Sequence, residues 1–339
     1  MQRRKHFRNC WHVTACLFAC VTVAACAPHI ERVEPQTTAP TLETKYIVTG
    51  DGAQLPLRIW QAENAQIAVV LALHGFNDYS KSFEKPAGFW AKRGITTYAY
   101  DQRGFGEAPH PGRFASTEVL VEDLSTASKL IKTRHPELPL YILGESMGAA
   151  VIIAAHRANE LTPNRSAVLD LHICEGIILV APAVWGRSTM NPFIRAALWF
   201  GAHTMPWLKV TGRGLNIRAS DNIEMLRKLA RDPLIIKKTR IDALYGLVDV
   251  MDAAMAAAPH LNNRSLILYG AEEELVPTHS IDRFVGHLPE NRNRRIMHYA
   301  KGFHMLLRDL NAVEVLGDIT DWITSPYRHI PSGSETVRR

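Results

Sequence analysis

The sequence predicts an α/β fold, a mostly parallel sheet with helices on both faces. Three observations predict it. Strand-like and helix-like segments alternate from Thr44 onward. Residues 67–73 form an unbroken apolar run, as expected of a strand buried on both faces. The chain has 339 residues, 47% of them hydrophobic and 21% charged, enough to bury a sizeable core in one large domain or two small ones. The same composition excludes a disordered tail, a collagen-like repeat and a many-span membrane protein.

The first residues are of another kind. Arg3, Arg4, Lys5 and Arg8 stand at the start, and no acidic residue appears before Glu31. The apolar run that follows, residues 13–25, is shorter than the roughly 20 residues a spanning helix needs. A basic head, a short apolar stretch and small residues before a cut site describe an export signal. Val23-Ala24-Ala25-Cys26 resembles the bacterial lipobox, in which the Cys is lipidated and the signal is removed just before it. Residues 1–25 are therefore expected to be a lipoprotein signal peptide, with Cys26 the lipid attachment point; an ordinary export signal, in which Cys26 has no role, is the alternative. Ala27 after Cys26 resembles outer-membrane sorting in Gram-negative bacteria, so the expected location is the bacterial cell envelope, on the periplasmic face of the outer membrane. Cleavage there leaves 314 residues, lowers the formal charge from +6 to +2 and removes Cys10, Cys16 and Cys20. With Cys26 and Cys174 remaining, no disulfide framework or Cys-based metal site survives. A charge of +2 makes no case for a nucleic-acid partner.

Residues 26–43 hold Pro28, Pro35 and Pro40 among polar residues and read as a flexible tether. One domain is expected over 44–326. It opens with a hairpin, 44–49 and 54–60, around the turn Gly50-Asp51-Gly52. Further strands are expected at 67–73, 95–100, 140–143, 177–180, 265–269 and 295–299, and helices at about 117–134, 147–159, 279–288 and 304–323. The basic run 292–295 reads as a solvated turn and the polar stretch 327–339 as a loose tail. Over 80 residues between Ala181 and Ser265 carry no strand signal, and a stretch that long in a compact domain carries function. It contains helical patterns at about 192–204, 220–230 and 233–257, the last opened by Asp232 as cap and Pro233 in the first turn. Residues 193–210 are unusually apolar, with Trp199, Phe200, Met205 and Trp207. This insertion, about 183–260, is expected to form a helical cap over the C-terminal edge of the sheet, where open α/β sheets place their sites. Its apolar residues divide between packing as a helical core and lining a channel or presenting an apolar face.

Chemistry concentrates at three places. Gly144-Glu145-Ser146-Met147-Gly148 lies between the strand 140–143 and a helical run, so Gly-x-Ser-x-Gly occurs in a strand–turn–helix context. The glycines permit a tight, strained turn that leaves the Ser146 hydroxyl exposed at the helix start. A serine hydroxyl needs a base to become a good nucleophile. Lys301-Gly302-Phe303-His304 follows the last strand, which places His304 as that base ahead of His279, His287 and His298. Three acids in a row, Glu272, Glu273 and Glu274, follow the strand ending at Gly270 and can supply the carboxylate that orients it.

These residues, together with His74-Gly75-Phe76-Asn77-Asp78-Tyr79-Ser80 and Asp101-Gln102-Arg103-Gly104-Phe105-Gly106, make the chain resemble the α/β-hydrolase superfamily, and within it the monoacylglycerol lipase and lysophospholipase branch of serine hydrolases. The resemblance covers about 46–323. It implies Ser146 as nucleophile, His304 as base and Glu273 as triad acid, from a register in which the acid stands three residues after the glycine; Glu272 and Glu274 are the fallbacks. It also implies an oxyanion hole from the backbone N–H groups of Phe76 and Met147. Three positions depart from the family pattern. Glu273 stands where Asp is usual, Tyr79 where His is frequent, and Glu107-Ala108 where a small polar residue often follows. His74, Asp101 and Arg103 are read as loop braces and Cys174 as a small apolar residue. The implied substrate is a glycerolipid or lysophospholipid with one acyl chain, and no cofactor or metal is called for. Carboxylesterases, thioesterases and some peptidases share the scaffold. A non-catalytic lipid-binding envelope lipoprotein is the alternative of another class, told apart by a broken triad.

Overall fold

The computed structural model describes residues 27–157, 173–214, 216–325, 330 and 332. The expected signal peptide, Cys26 and most of the expected tail lie outside them.

Among the described residues the main sheet has nine strands. In chain order they are β2 (Thr41–Leu42), β3 (Tyr46–Val48), β4 (Gln54–Trp60), β5 (Ala68–Leu73), β6 (Ile95–Tyr100), β8 (Leu140–Glu145), β9 (Gly176–Val180), β12 (Ser265–Gly270) and β13 (Arg294–Tyr299). Across the sheet they run β13-β12-β9-β8-β5-β6-β4-β3-β2. The strands from β13 to β6 are parallel, and β4 turns the sheet antiparallel by pairing Leu57 with Tyr100. Alternate residues of one strand feed two cores. Val69, Leu71 and Leu73 of β5 belong to one, and Ala68, Val70 and Ala72 to the other. That two-sided burial is why β5 reads as a continuous apolar run.

Helices α1 (Glu84–Ala91) and α8 (Ala312–Thr324) cover one face through Trp90, Ile319 and Trp322. The other face is covered by α2 (Thr117–Arg134), α3 (Met147–Ala154), α6 (Ile241–Ala257) and α7 (Thr278–His287). The Ser116 side chain caps α2 by accepting the Val119 N–H at 3.4 Å. Every residue of α3 is buried, so the elbow helix is apolar all round.

Between β9 and β12 lie α4 (Pro192–Thr204), α5 (Ile223–Arg231), α6 and a two-stranded ribbon of β10 (Lys209–Val210) and β11 (Thr239–Arg240). No described helix is long and apolar enough to cross a membrane.

Several expectations are corrected. Residues 27–43 do not hang free: β1 (Ile30–Glu31) pairs in parallel with β7 (Phe114–Ala115), and β2 extends the sheet. The paired backbone holds this Pro-rich segment although it has no apolar period. The helix expected from 304 begins only at Ala312, because 303–309 turn back on themselves with the Phe303 N–H donating to Asp309 Oδ2 at 2.8 Å. The helix expected from Pro233 begins at Ile241, after Thr239–Arg240 has paired with β10. The elbow helix is α-helical only to Ala154. Arg294 is in β13 and donates to Ser265 Oγ, so the basic run is not merely solvated. Ile330, in the expected tail, is buried against the α1 and α8 face. Helix α1 itself was not expected, since Pro86 and Gly88 lie inside it; Pro86 is tolerated because it sits in the first turn.

Candidate active site

The elbow is built by close approach. Ser146 joins β8 to α3 with φ 54° and ψ −113°, a backbone conformation that L-residues rarely adopt. A Cβ on Gly148 would lie 2.3 Å from the Leu73 carbonyl oxygen, and one on Gly144 2.4 Å from the Ala149 nitrogen. Only hydrogen fits at both places, so the turn can be this tight.

The loops that follow β12 and β13 meet this turn. Ser146 Oγ donates to His304 Nε2 at 2.9 Å, and His304 Nδ1 donates to Glu273 Oε2 at 2.6 Å. Those two bonds set the tautomer of the imidazole. The other carboxylate oxygen, Glu273 Oε1, accepts the N–H groups of Leu275 at 2.7 Å and Val276 at 3.1 Å. The Glu272 N–H donates to the Gly302 carbonyl at 2.9 Å, which ties the acid loop to the histidine loop. The extra methylene of Glu273 is thus accommodated by a carboxylate held against its own loop backbone. Of the two fallbacks, Glu274 is engaged elsewhere, accepting the Arg218 N–H at 2.7 Å, and Glu272 is exposed.

Electrostatics follow from this burial. Desolvation opposes ionisation of Glu273, yet the His304 hydrogen bond and charge, with the two loop N–H groups, hold its carboxyl below the ordinary value. Desolvation likewise opposes charge on His304, but Glu273, and at longer range Glu145, push it above the ordinary imidazole value. The triple can take a proton from the serine oxygen and stabilise the resulting imidazolium.

Of the expected oxyanion donors, Met147 follows Ser146 directly, and Phe76 follows Gly75, which borders the elbow. A Cβ on Gly75 would stand 3.4 Å from the Ser146 Cβ, so the 74–80 loop borders the elbow directly. The Met147 N–H is at the first position of α3, where no intrahelical acceptor exists. The ring of Phe76 packs 5.6 Å from Phe105 and 6.0 Å from Phe114. Beneath it His74 Nε2 accepts the Gln102 N–H at 2.9 Å. Asp101 accepts the N–H groups of Ser80 and Glu107, and Arg103 pairs with Asp51 and Asp123.

Three site residues were missed by sequence reasoning. Arg308, buried, donates to Asp78 Oδ2 at 2.7 Å and to Glu145 Oε2 at 2.9 Å. Asp78 belongs to the 74–80 loop, Glu145 ends β8 just before Ser146 and Arg308 follows His304 by four residues, so one guanidinium joins all three segments. Tyr79 in turn donates to Asp232 Oδ2 at 2.8 Å and links the 74–80 loop to the cap. Cap contacts continue through Ile236, whose N–H donates to the Asn77 carbonyl at 3.1 Å.

The chain is similar to the monoglyceride lipase of Rattus norvegicus, 23% identical over 302 residues that make up 86% of this chain and 94% of the relative. It is similar also to the monoacylglycerol lipase of Mycolicibacterium smegmatis, 23% identical over 281 residues, 81% of this chain and 94% of the relative. The fold matches a soluble variant of Saccharomyces cerevisiae monoglyceride lipase, solved with a substrate analogue, at a TM-score of 0.67 and 19% identity, covering 86% of this chain and 97% of that one. The architecture is the α/β-hydrolase fold. Residues 64–311, which carry the elbow, the acid loop and the histidine, match the Hydrolase_4 family, described as "Serine aminopeptidase, S33", and the chain belongs to that family.

Proposed function

We propose that this protein is a serine hydrolase that cleaves the ester of a single-chain glycerolipid, a monoacylglycerol or a lysophospholipid, through a Ser146–His304–Glu273 triad. The observation that carries this reading is the unbroken series from Ser146 Oγ to His304 Nε2 at 2.9 Å and from His304 Nδ1 to Glu273 Oε2 at 2.6 Å. The likeness to monoglyceride lipases over most of the chain supports the substrate class.

In this reading His304 takes the Ser146 proton as the oxygen attacks the ester carbonyl, and Glu273 stabilises the imidazolium. The Phe76 and Met147 N–H groups receive the oxyanion, and losing one such donor typically costs about 3 kcal/mol in the barrier. His304 then gives its proton to the departing glycerol oxygen. An acyl-enzyme on Ser146 remains. Water, deprotonated by His304, attacks the acyl carbon, and the fatty acid leaves as Ser146 regains its proton. Cys26 is the proposed lipid attachment point, and with it the envelope location.

A panel of monoacylglycerols, lysophospholipids, p-nitrophenyl esters and aminoacyl p-nitroanilides, scored by kcat/KM, tests the assignment. Long-chain glycerol esters should be preferred, and Ser146→Ala should abolish turnover and fluorophosphonate labelling. Preference for acetyl esters would remove the lipid substrate, preference for anilides would make the enzyme a peptidase, and full activity in Ser146→Ala would remove the triad.

A further inference from the structure

Phe114 is the place where separate parts of the chain meet. Its ring, 1% exposed, lies 6.0 Å from the ring of Phe76 and 6.1 Å from that of Phe105. Helix α6 closes another side at Gly246, where a Cβ would stand 2.4 Å from Phe114 Cδ1, so glycine is what admits the ring. From outside, the Phe114 backbone pairs with Ile30 of β1. The loops that carry Phe105 and Phe114 are also fastened to each other. The Gly112 N–H donates to the Gly104 carbonyl at 2.8 Å, and a Cβ on Gly104 would fall 1.8 Å from the Arg113 carbonyl oxygen. Close-packed interiors transmit strain, so a displacement of Phe114 reaches Phe76.

The outer grip on Phe114 is slight. Strand β1 contributes two residues of ladder, and the Ser116 N–H donates to the Glu31 carbonyl at 2.8 Å. Glu31 pairs with His110, and Arg113 donates to His29 Nε2 at 3.2 Å. Between β1 and α6 the packing is open, with a cavity of about 710 Å³ lined by Ile30, Val33, Ala115, Tyr245 and Gly246. Residues 27–33 therefore form a strap held at its edge by backbone and polar bonds over a void. The chain is fastened again farther on, where the N–H groups of Thr37 and Thr38 donate to the Gly50 carbonyl at 2.7 and 3.0 Å and β2 joins the sheet. Segments with few buried contacts open locally at low cost, so the strap can loosen while the rest stays folded.

The residue at the other end of this chain of contacts is Phe76, and a catalytic group must be held within about 0.5 Å of its productive place. We propose that Phe114, clamped by the N-terminal strap, is a positioning residue for the Phe76 N–H as oxyanion donor, which makes residues 27–33 a working part of the active site. The proposal rests on the serine hydrolase reading and on Phe76 as a donor in it.

The test compares variants of the full chain. Glu31→Pro removes a backbone donor from the strap, and Phe114→Leu removes the ring while keeping its place apolar. Thr41→Pro is the control: it disturbs β2, in the same N-terminal segment, away from Phe114. Circular dichroism and thermal unfolding check each fold. Hydrogen exchange, which needs no activity, should accelerate over residues 74–80 in Glu31→Pro and Phe114→Leu and not in Thr41→Pro. With p-nitrophenyl butyrate and active-site titration, kcat should fall about tenfold or more in those two variants, short of the roughly 10²–10³-fold cost of losing a donor outright. KM and the pH limb of His304 should stay in place. A trifluoromethyl ketone, which mimics the tetrahedral oxyanion, should lose affinity by the same factor as kcat/KM.

Unchanged exchange over 74–80 in both Glu31→Pro and Phe114→Leu would overturn the strap. Faster exchange with unchanged kcat, or a loss carried by KM or by a displaced pH limb, would overturn the positioning role. An equal loss in Thr41→Pro would overturn it too, as general destabilisation. An unaltered protein that neither turns over esters nor reacts with a fluorophosphonate would instead sink the hydrolase reading itself, whatever the exchange shows.

Discussion

Replacing Arg308 by Met should be among the most damaging single changes in this protein, although Arg308 lies outside the triad. Its guanidinium is 7% exposed and holds Asp78, 8% exposed, and Glu145, 3% exposed. Methionine leaves both carboxylates buried without a cation. Breaking one buried pair usually costs about 3–5 kcal/mol. Asp78 keeps one partner, since its Oδ1 still accepts the Tyr79 N–H at 2.8 Å, which holds the expected loss near 4 kcal/mol. Against a total stability of about 5–15 kcal/mol that is a large fraction. Urea unfolding followed by circular dichroism at neutral pH measures it. The triple change Asp78→Asn, Glu145→Gln, Arg308→Met should recover most of the loss, because no buried charge remains.

The deficit should also shrink as pH falls. Burial already raises the Glu145 carboxyl against the opposing pull of Arg308. Without Arg308 the ionised form is penalised further. A carboxyl raised on folding destabilises the native state above its folded value, and that cost vanishes below its unfolded value. A loss under about 1 kcal/mol for Arg308→Met, or a triple variant no better than the single, would refute the buried-charge account.

Other expectations concern catalysis and the cap. Since His304 is raised above the ordinary imidazole value of about 6.5, kcat/KM should climb with pH through that raised value as the base form appears. Glu273→Gln should lower kcat about 10⁴-fold and move the residual pH limb downward; an unmoved limb would take Glu273 out of contact with the base. Ser146→Gly should unfold at higher urea than Ser146→Ala, by about 1 kcal/mol, because φ 54° suits glycine and both variants lose the same hydroxyl. Tyr79→Phe removes the bond to Asp232 and should speed proteolytic nicking of the cap with little change in global stability. An unchanged nicking rate would mean that this bond does not hold the cap.

The legible parts of the fold were those whose pattern is local. Strand β6 and helix α2 appear in the sequence at the bounds they have in space, one through a β-branched and aromatic run and the other through its helical period. Ser146 and His304 were legible because strand–turn–helix and strand–loop contexts restrict where a nucleophile and base can stand. Glu273 needed the register of the loop, since three consecutive glutamates carry the same local signal. The ribbon of β10 and β11 has two residues on each side and no sequence period to reveal it. Asp78, Glu145 and Arg308 meet only because the end of strand β8 and two separate loops converge at one sheet edge, and no spacing along the chain encodes that. The apolar cap residues, expected in part as a core, instead lie largely on the surface.

The pairing of Ile30–Glu31 with Phe114–Ala115 sets a leash length. Were residues 26–43 slack, a domain held at Cys26 would sweep a hemisphere of radius about 60 Å at full extension. With β1 paired, only four residue steps of chain separate Cys26 from Ile30, a reach of about 14 Å. An enzyme held by the proposed lipid on Cys26 would thus search in two dimensions, skimming a surface and meeting substrate by lateral diffusion.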